Sequence, residues 1–121
     1  MLRQLDIPTA RAALWTWQSL RDARRRLQNE RLEDIRLPAP PTLPTHAVRG
    51  VAAVLDRTSN TCLERSLVVQ RWLAAHGEAP DVLVGVVGPA SRFKAHAWID
   101  GEPEGDEFEV LMRVPWVEAN G

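Results

Sequence analysis

The chain has 121 residues, a formal net charge of −1 and a single cysteine. This length predicts one small domain, and the near-zero charge gives no global field that would attract nucleic acid or an anionic membrane. A lone cysteine excludes an internal disulfide and a multi-cysteine zinc site. No apolar run approaches the roughly 18 residues of a membrane span. The N-terminus lacks the apolar core of a signal peptide, so we expect a cytoplasmic protein.

The first predicted element is an N-terminal helical region over residues 1–35. Pro8 and Thr9 are typical of a helix start. Apolar residues then recur with a helical period, at Ala10, Ala13, Leu14, Trp17 and Leu20. The Arg-rich stretch around residues 24–26 indicates either a solvated helix face paired with nearby acids or a docking surface for an acidic peptide or partner protein. Its interleaved acids and its lack of an aromatic platform do not fit nucleic acid.

A proline-rich connector over residues 36–44 separates this region from a compact unit over residues 45–121, within a single domain overall. Four prolines in the connector disfavour helix and favour an extended chain. Beyond it, the spacing of Val48, Val51 and Leu55 predicts an amphipathic helix of about three turns.

The next helix is predicted to run from Cys62 to about His76. Thr61 and Glu64 match the S/T-x-x-E capping box, and Gly77 provides the C-terminal stop. Apolar residues cover most of the helix circumference, so we expect it to be largely buried. Only a narrow stripe through Glu64 is expected to face solvent, on the side away from Cys62.

Strand signals replace helix signals beyond Gly77. Residues 82–87 form an apolar run rich in valine, and residues 94–99 alternate well enough for a second strand. Asp100-Gly101 is typical of a hairpin turn, after which residues 108–114 can return as a third strand. Helices followed by strands predict an α+β fold, in which the N-terminal helices and the buried helix pack on a small antiparallel sheet.

Cys62 is the candidate nucleophile because the capping box places it at the first residue of a helix. The free N–H groups and the dipole at a helix N-terminus stabilise a thiolate. A cysteine nucleophile needs a base, and His96 lies in the middle of the second predicted strand. His46 is expected to be an exposed residue at a helix start. His76 lies about 21 Å along the helix from Cys62, too far to be the base.

The third group, which would orient His96, is an acid. Asp100 lies on the same face of the strand, but about 13 Å along it, and it also fits the turn. If the second and third strands form a hairpin, Asp106 comes closer to His96. We therefore predict Asp106, with Asp100 as the alternative.

Stabilisation of a developing oxyanion is expected from the backbone N–H of Cys62. Asn60 either contributes a second donor or serves as a turn residue. Arg65 and Ser66 follow on the same helix. We interpret them as groups for helix packing and a structural ion pair.

The segments CLERSLVVQRWLAAHG, VLVGVVG and FKAHAWIDG together resemble the lasso-peptide leader peptidases. These are stand-alone transglutaminase-like cysteine proteases of the microcin-processing protein family. The resemblance covers residues 45–112 and rests on a C-L-x-R-S-L helix followed by an A-H-A-W strand. It implies a transglutaminase-like or papain-like fold and a Cys-His-Asp mechanism, with Cys62 as nucleophile, His96 as base and Asp106 as the acid. The hairpin after the A-H-A-W strand is shorter here than is usual in that family.

The resemblance also implies a function and partners. The chain would remove the leader peptide from a ribosomally made lasso-peptide precursor, without a cofactor. Its partners would be the precursor peptide, a separate leader-recognition protein of the RRE or PqqD-like type, and the lasso cyclase, with no role for nucleic acid or membrane. Two alternatives use the same fold: a transglutaminase-type acyl transferase and a peptide-binding module that has lost its chemistry.

Overall fold

Three helices precede three strands in the computed structural model, which describes residues 6–88, 94–102 and 107–117. The elements are α1 (Ile7–Asn29), α2 (Val48–Arg57), α3 (Cys62–Ala75), β1 (Val82–Val87), β2 (Lys94–Ile99) and β3 (Glu109–Val114). Short 3-10 turns at Leu32–Asp34 and Thr45–Ala47 lie on either side of the proline-rich connector. The predicted α+β fold is therefore confirmed. Within the described ranges, no helix is both long enough and apolar enough to cross a membrane.

Helix α1 forms where the sequence predicts a helix, but the face that it buries is not its apolar stripe. Asp6 caps the helix, since its carboxylate accepts the Thr9 N–H at 2.8 Å. Leu14 and Trp17, from the stripe, are 55% and 45% exposed. The buried face consists largely of small residues, namely Thr9, Ala12, Trp15, Thr16, Ser19, Leu20 and Ala23.

Small residues are needed on this face because α2 approaches the backbone of α1 closely. A Cβ atom at Gly50 would lie 2.2 Å from the carbonyl oxygen of Thr9 and 2.9 Å from the backbone nitrogen of Ala13. Such a short separation leaves no space for large side chains at the crossing. Leu14 and Trp17 therefore lie partly in solvent.

We expect Gly50→Ala to lower the free energy of unfolding by about 2 kcal/mol or more, as overpacking does. Helix propensity alone predicts the opposite sign, since alanine is favoured over glycine inside a helix by about 1 kcal/mol. Urea denaturation measures the change. As a control, Ala52→Gly on the exposed side of α2 should cost about 1 kcal/mol or less. A Gly50→Ala protein as stable as the wild type would contradict this close crossing.

Helix α3 has the predicted bounds at its start and the predicted capping box. The Thr61 hydroxyl accepts the Glu64 N–H at 3.1 Å, and a Glu64 carboxylate oxygen accepts the Thr61 N–H at 3.0 Å. Val68 is fully buried, and Leu67 and Trp72 are about 5% exposed or less. The helix is therefore a fixed support for the residue at its N-terminus, Cys62.

The sheet is antiparallel with strand order β2-β1-β3, so β1 is central and both β2 and β3 are edges. The predicted hairpin between the second and third strands is wrong. A turn does form, with the Glu102 N–H bonded to the Ile99 carbonyl at 3.0 Å and Gly101 at a φ of 101°. Asp100 has no positive φ, whereas the type I′ turn of a two-residue hairpin requires one at both central residues. The turn is therefore not of this type, and β3 pairs with the side of β1 that β2 leaves free.

The two faces of the sheet have different roles. Ala97, Ile99 and Val114 belong to the core that the helices cover. Successive side chains of a strand point to opposite faces, so His96 and Trp98 lie on the other face of β2. This alternation leaves the His96 ring outside the helix-covered core.

Candidate functional site

The Cys62 thiol lies against the outer edge of β2. Its Sγ accepts a hydrogen bond from the backbone N–H of Ala97 at 3.3 Å. Cys62 is also the first residue of α3, where the helix dipole is positive. The sulfur therefore lies at a helix N-terminus and next to the strand that carries His96.

Cys62 and His96 line one cleft, which has a volume of about 260 Å3. Its walls are formed by Asn60, Cys62, Arg65, Ser66, His96, Ala97 and Glu102. Pockets for drug-sized ligands are usually larger. The size of the cleft therefore suits the part of a peptide chain on either side of one peptide bond. The structure brings the predicted nucleophile, Cys62, and the predicted base, His96, together in this cleft.

Aromatic contacts hold the His96 ring. Its centroid lies 5.8 Å from that of Trp98, at an interplanar angle of 12°, and 5.1 Å from that of Phe108. These distances are typical of favourable ring pairs. Within residues 6–88, 94–102 and 107–117, the ring nitrogens of His96 make no hydrogen bond, so both remain available for a proton and for an orienting group.

The other two histidines lie outside this cleft. His46 Nε2 is 2.9 Å from a carboxylate oxygen of Asp6, at the start of α1. His76 is the C-cap of α3 and stacks on Trp72. As predicted, His46 is exposed near a helix start, and His76 lies at the opposite end of α3 from Cys62.

Of the two acids proposed to orient His96, the structure describes only Asp100. Asp106 lies outside the described residues and stays a prediction. Asp100 is 49% exposed and lies 3.2 Å from Arg113, which also binds Asp81 at 3.0 Å. Asp100 is not among the residues that line the cleft. It therefore belongs to a surface ion pair.

Glu102 is a cleft residue that sequence reasoning missed. One of its carboxylate oxygens accepts the N–H of Ile99 at 2.7 Å. This N–H is available because β2 is an edge strand, which only the strand order reveals. The position of Glu102 directly after the Asp100-Gly101 turn was the one signal in the sequence.

Ser66 and Arg65 contribute polar groups to the cleft. Ser66 is only 4% exposed, yet its hydroxyl has no hydrogen-bond partner in the described part of the chain. Arg65 is exposed and makes no ion pair with any described residue. No described residue is the ion-pair partner that the interpretation of Arg65 requires, and both side chains line the cleft, where they can contact a substrate.

Asn60 serves as a turn residue. Its side-chain amide donates to the carbonyl oxygens of Leu55, at 3.0 Å, and Thr58, at 2.9 Å. These bonds use the amide donors to fix the loop before α3. Among the described residues, the backbone N–H groups of Cys62 and Leu63 have no partner, as expected in the first turn of a helix, and they can bind an oxyanion.

The N-terminus of α3 is clamped by α1 through an ion pair. Glu64 is 5% exposed, and its carboxylate accepts from Arg24 at 3.2 and 3.3 Å. Arg24 also donates to the carbonyl of Ser59 at 3.0 Å. The prediction that Glu64 faces solvent is wrong, because the partner that neutralises it comes from a helix 40 residues earlier in the chain.

Glu64 should make stability depend on acidity. Burial raises the pKa of Glu64, but the bonds from Arg24 and Thr61 outweigh it and the net pKa is lowered. The ionised carboxylate therefore stabilises the fold above about pH 4.3, and this contribution is lost as the pH falls through the lowered pKa. We expect Glu64→Gln to reduce stability at pH 7 by about 1 kcal/mol and to weaken the acid dependence seen in urea denaturation.

A matched control for this prediction is Glu30→Gln, which removes a carboxylate from the exposed ion pair with Arg26. It should change stability at pH 7 by less than about 0.5 kcal/mol. Equal effects of the two substitutions would contradict a special role for the clamp at Glu64.

The remaining arginines of the Arg-rich stretch are also paired. Arg25 and Arg26 both bind Asp22, and Arg26 also reaches Glu30 at 3.2 Å. Residues 24–26 thus form intramolecular ion pairs, which favours the interpretation as a solvated, charge-paired helix face for these three positions.

A known protein family matches most of the chain. The family model of the transglutaminase-like superfamily matches residues 1–113 of the chain. Comparisons with curated proteins and with solved structures gave no match. The matched range contains Cys62, His96 and almost all of the described fold. The chain therefore belongs to the transglutaminase-like superfamily, which includes cysteine proteases and acyl transferases.

Proposed function

We propose that the chain is a cysteine protease that removes the leader peptide from a ribosomally made lasso-peptide precursor. One observation carries the catalytic part: the Cys62 thiol, at the N-terminus of a buried helix, shares a cleft with His96. The helix and strand motifs around these two residues support the substrate class. The reaction would take place in the cytoplasm, where the precursor is made.

The chemistry is amide hydrolysis in two steps. The Cys62 thiolate attacks the scissile carbonyl carbon and forms an S–C bond, while the carbonyl oxygen gains negative charge that the N–H of Cys62 can bind. His96 then gives a proton to the leaving amine as the C–N bond breaks. In the second step His96 removes a proton from water, whose oxygen attacks the thioester, and the S–C bond breaks to release the acid.

Asp106 is the proposed acid that orients His96. What supports it is the contact between His96 and Phe108, only two residues further along the chain. The proposed partners follow from the substrate: a leader-recognition protein presents the precursor, and a cyclase uses the newly freed N-terminus of the core.

Mass spectrometry tests the proposal directly. The protein is incubated with synthetic lasso-peptide precursors, the leader-recognition protein and an excess of a primary amine. We expect a leader with a free carboxylate and an intact core. An amide adduct without hydrolysis would favour the acyl transferase, and binding without turnover would favour the peptide-binding module.

Iodoacetamide provides a site-specific block, because Cys62 is the only cysteine. Complete alkylation should stop cleavage. If a fully alkylated protein still cuts the precursor at the wild-type rate, Cys62 is not the nucleophile.

A further inference from the structure

A second groove lies between α1 and the loop that leads into Cys62. Its volume is about 250 Å3, and it is lined by Trp17, Leu20, Arg21, Arg24, Thr58 and Ser59. We call it the Trp17 groove. Ser59 lines this groove and the next residue, Asn60, lines the catalytic cleft, so the two depressions adjoin along the chain.

The Trp17 groove combines an exposed aromatic ring with a cation. Trp17 is 45% exposed, and the guanidinium of Arg21 lies over its ring at 4.9 Å. Arg24 is occupied by Glu64 and Ser59. Arg21, by contrast, makes no ion pair with any described residue, and no carboxylate lines the groove. The groove therefore presents positive charge and apolar surface together.

Trp17 is exposed because of the way in which α1 packs against α2, and this exposure leaves its ring available for binding. The crossing with α2 uses the small residues of α1, which leaves Leu14 and Trp17 of the apolar stripe on the surface. Tryptophan and arginine are enriched among the interface residues that contribute most of the binding energy. A ligand that covers Trp17 would remove its apolar area from water.

We infer that the Trp17 groove binds an acidic, apolar segment of the peptide substrate, about three residues from the scissile bond; this rests on the proposed function. Ser59 and Cys62 are three residues apart, a span of at most about 10 Å, which three residues of extended substrate also cover. An apolar substrate side chain packs on Trp17 and Leu20. A neighbouring Asp or Glu pairs with Arg21, whose planar guanidinium can bind a carboxylate through two hydrogen bonds.

Peptide binding to the Cys62→Ala protein tests this inference without turnover. The probe is a fluorescein-labelled peptide in which Leu-Glu-Glu stands in a Gly-Ser-Thr background, compared with the same peptide carrying Leu-Gln-Gln. Fluorescence anisotropy should show about tenfold weaker binding after Glu→Gln in the peptide or Arg21→Glu in the protein, the loss expected for one ion pair with its packed neighbour. Trp17→Ala should weaken both peptides.

Arg49→Glu is the matched control, since Arg49 is exposed, lies outside the groove and gives the same change of charge. A peptide with Leu-Lys-Lys should bind the Arg21→Glu protein better than the wild type. Equal weakening by Arg21→Glu and Arg49→Glu, or equal binding of the Glu and Gln peptides, would overturn the inference. The inference would also be overturned if Arg21→Glu weakened binding of the folded leader-recognition protein but not of the peptides. The groove would then be a docking site for that partner.

Cleavage kinetics separate this inference from the proposed function. If the wild type cleaves precursors and Arg21→Glu leaves kcat/KM unchanged for acidic and neutral peptides alike, the groove inference fails and the proposed function stands. If the acidic peptide binds through Arg21 but no peptide is cleaved, the proposed function fails and the groove remains a peptide-binding site.

Discussion

Replacing Cys62 by alanine is expected to reduce kcat/KM for precursor cleavage by at least about a thousandfold, the scale seen when a covalent nucleophile is removed. The reason is structural as well as chemical. Ser66 carries a hydroxyl in the cleft, but it lies one helical turn from Cys62, so it cannot take over the attack from the same position. Any residual rate would come from substrate positioning and the oxyanion donors alone.

The control must show that the fold survives. Cys62 is only partly buried, so removing its sulfur exposes the Ala97 N–H to solvent rather than leaving it unpaired in the core. Circular dichroism and urea denaturation should therefore give nearly wild-type curves. Cys62→Ser keeps an acceptor for Ala97 and should still be strongly impaired. Cleavage by Cys62→Ala at the wild-type rate would end the proposed mechanism.

Much of the site could be predicted because its signals are local. The capping box joins Thr61 and Glu64 across one helical turn, and it fixes Cys62 as the first residue of α3. The β-rich runs give β1 and β2 with the predicted bounds. Each of these features depends on neighbours within a few residues, which the sequence displays directly.

The remainder depends on contacts between distant segments. The strand order could not be obtained from the Asp100-Gly101 turn, because a turn sequence does not specify with which strand the chain pairs afterwards, and β3 pairs with β1. The burial of Glu64 depends on Arg24. The buried face of α1 depends on Gly50, in a different helix. None of these three couplings has a periodic or motif signature.

His96 is the residue whose replacement should have the second-largest effect. We expect His96→Phe to lower kcat/KM by about a hundredfold to ten-thousandfold, the contribution usual for a general acid–base group. Phenylalanine keeps a ring that can pack against Trp98 and Phe108 but cannot carry a proton. The stability of the variant should therefore stay close to that of the wild type while its activity falls.

Three comparisons distinguish proton transfer from ring packing at His96. Phe108→Leu removes one ring neighbour and keeps the imidazole, so it should cost less activity than His96→Phe. Adding His96→Phe to Cys62→Ala should produce little further loss of activity, because the effects of residues that act as one catalytic unit are not additive.

Iodoacetamide should alkylate Cys62 more slowly in His96→Phe, since the thiol has lost its base. Unchanged alkylation together with unchanged cleavage would place the base on another residue, and Glu102 is the remaining carboxylate among the described residues of the cleft.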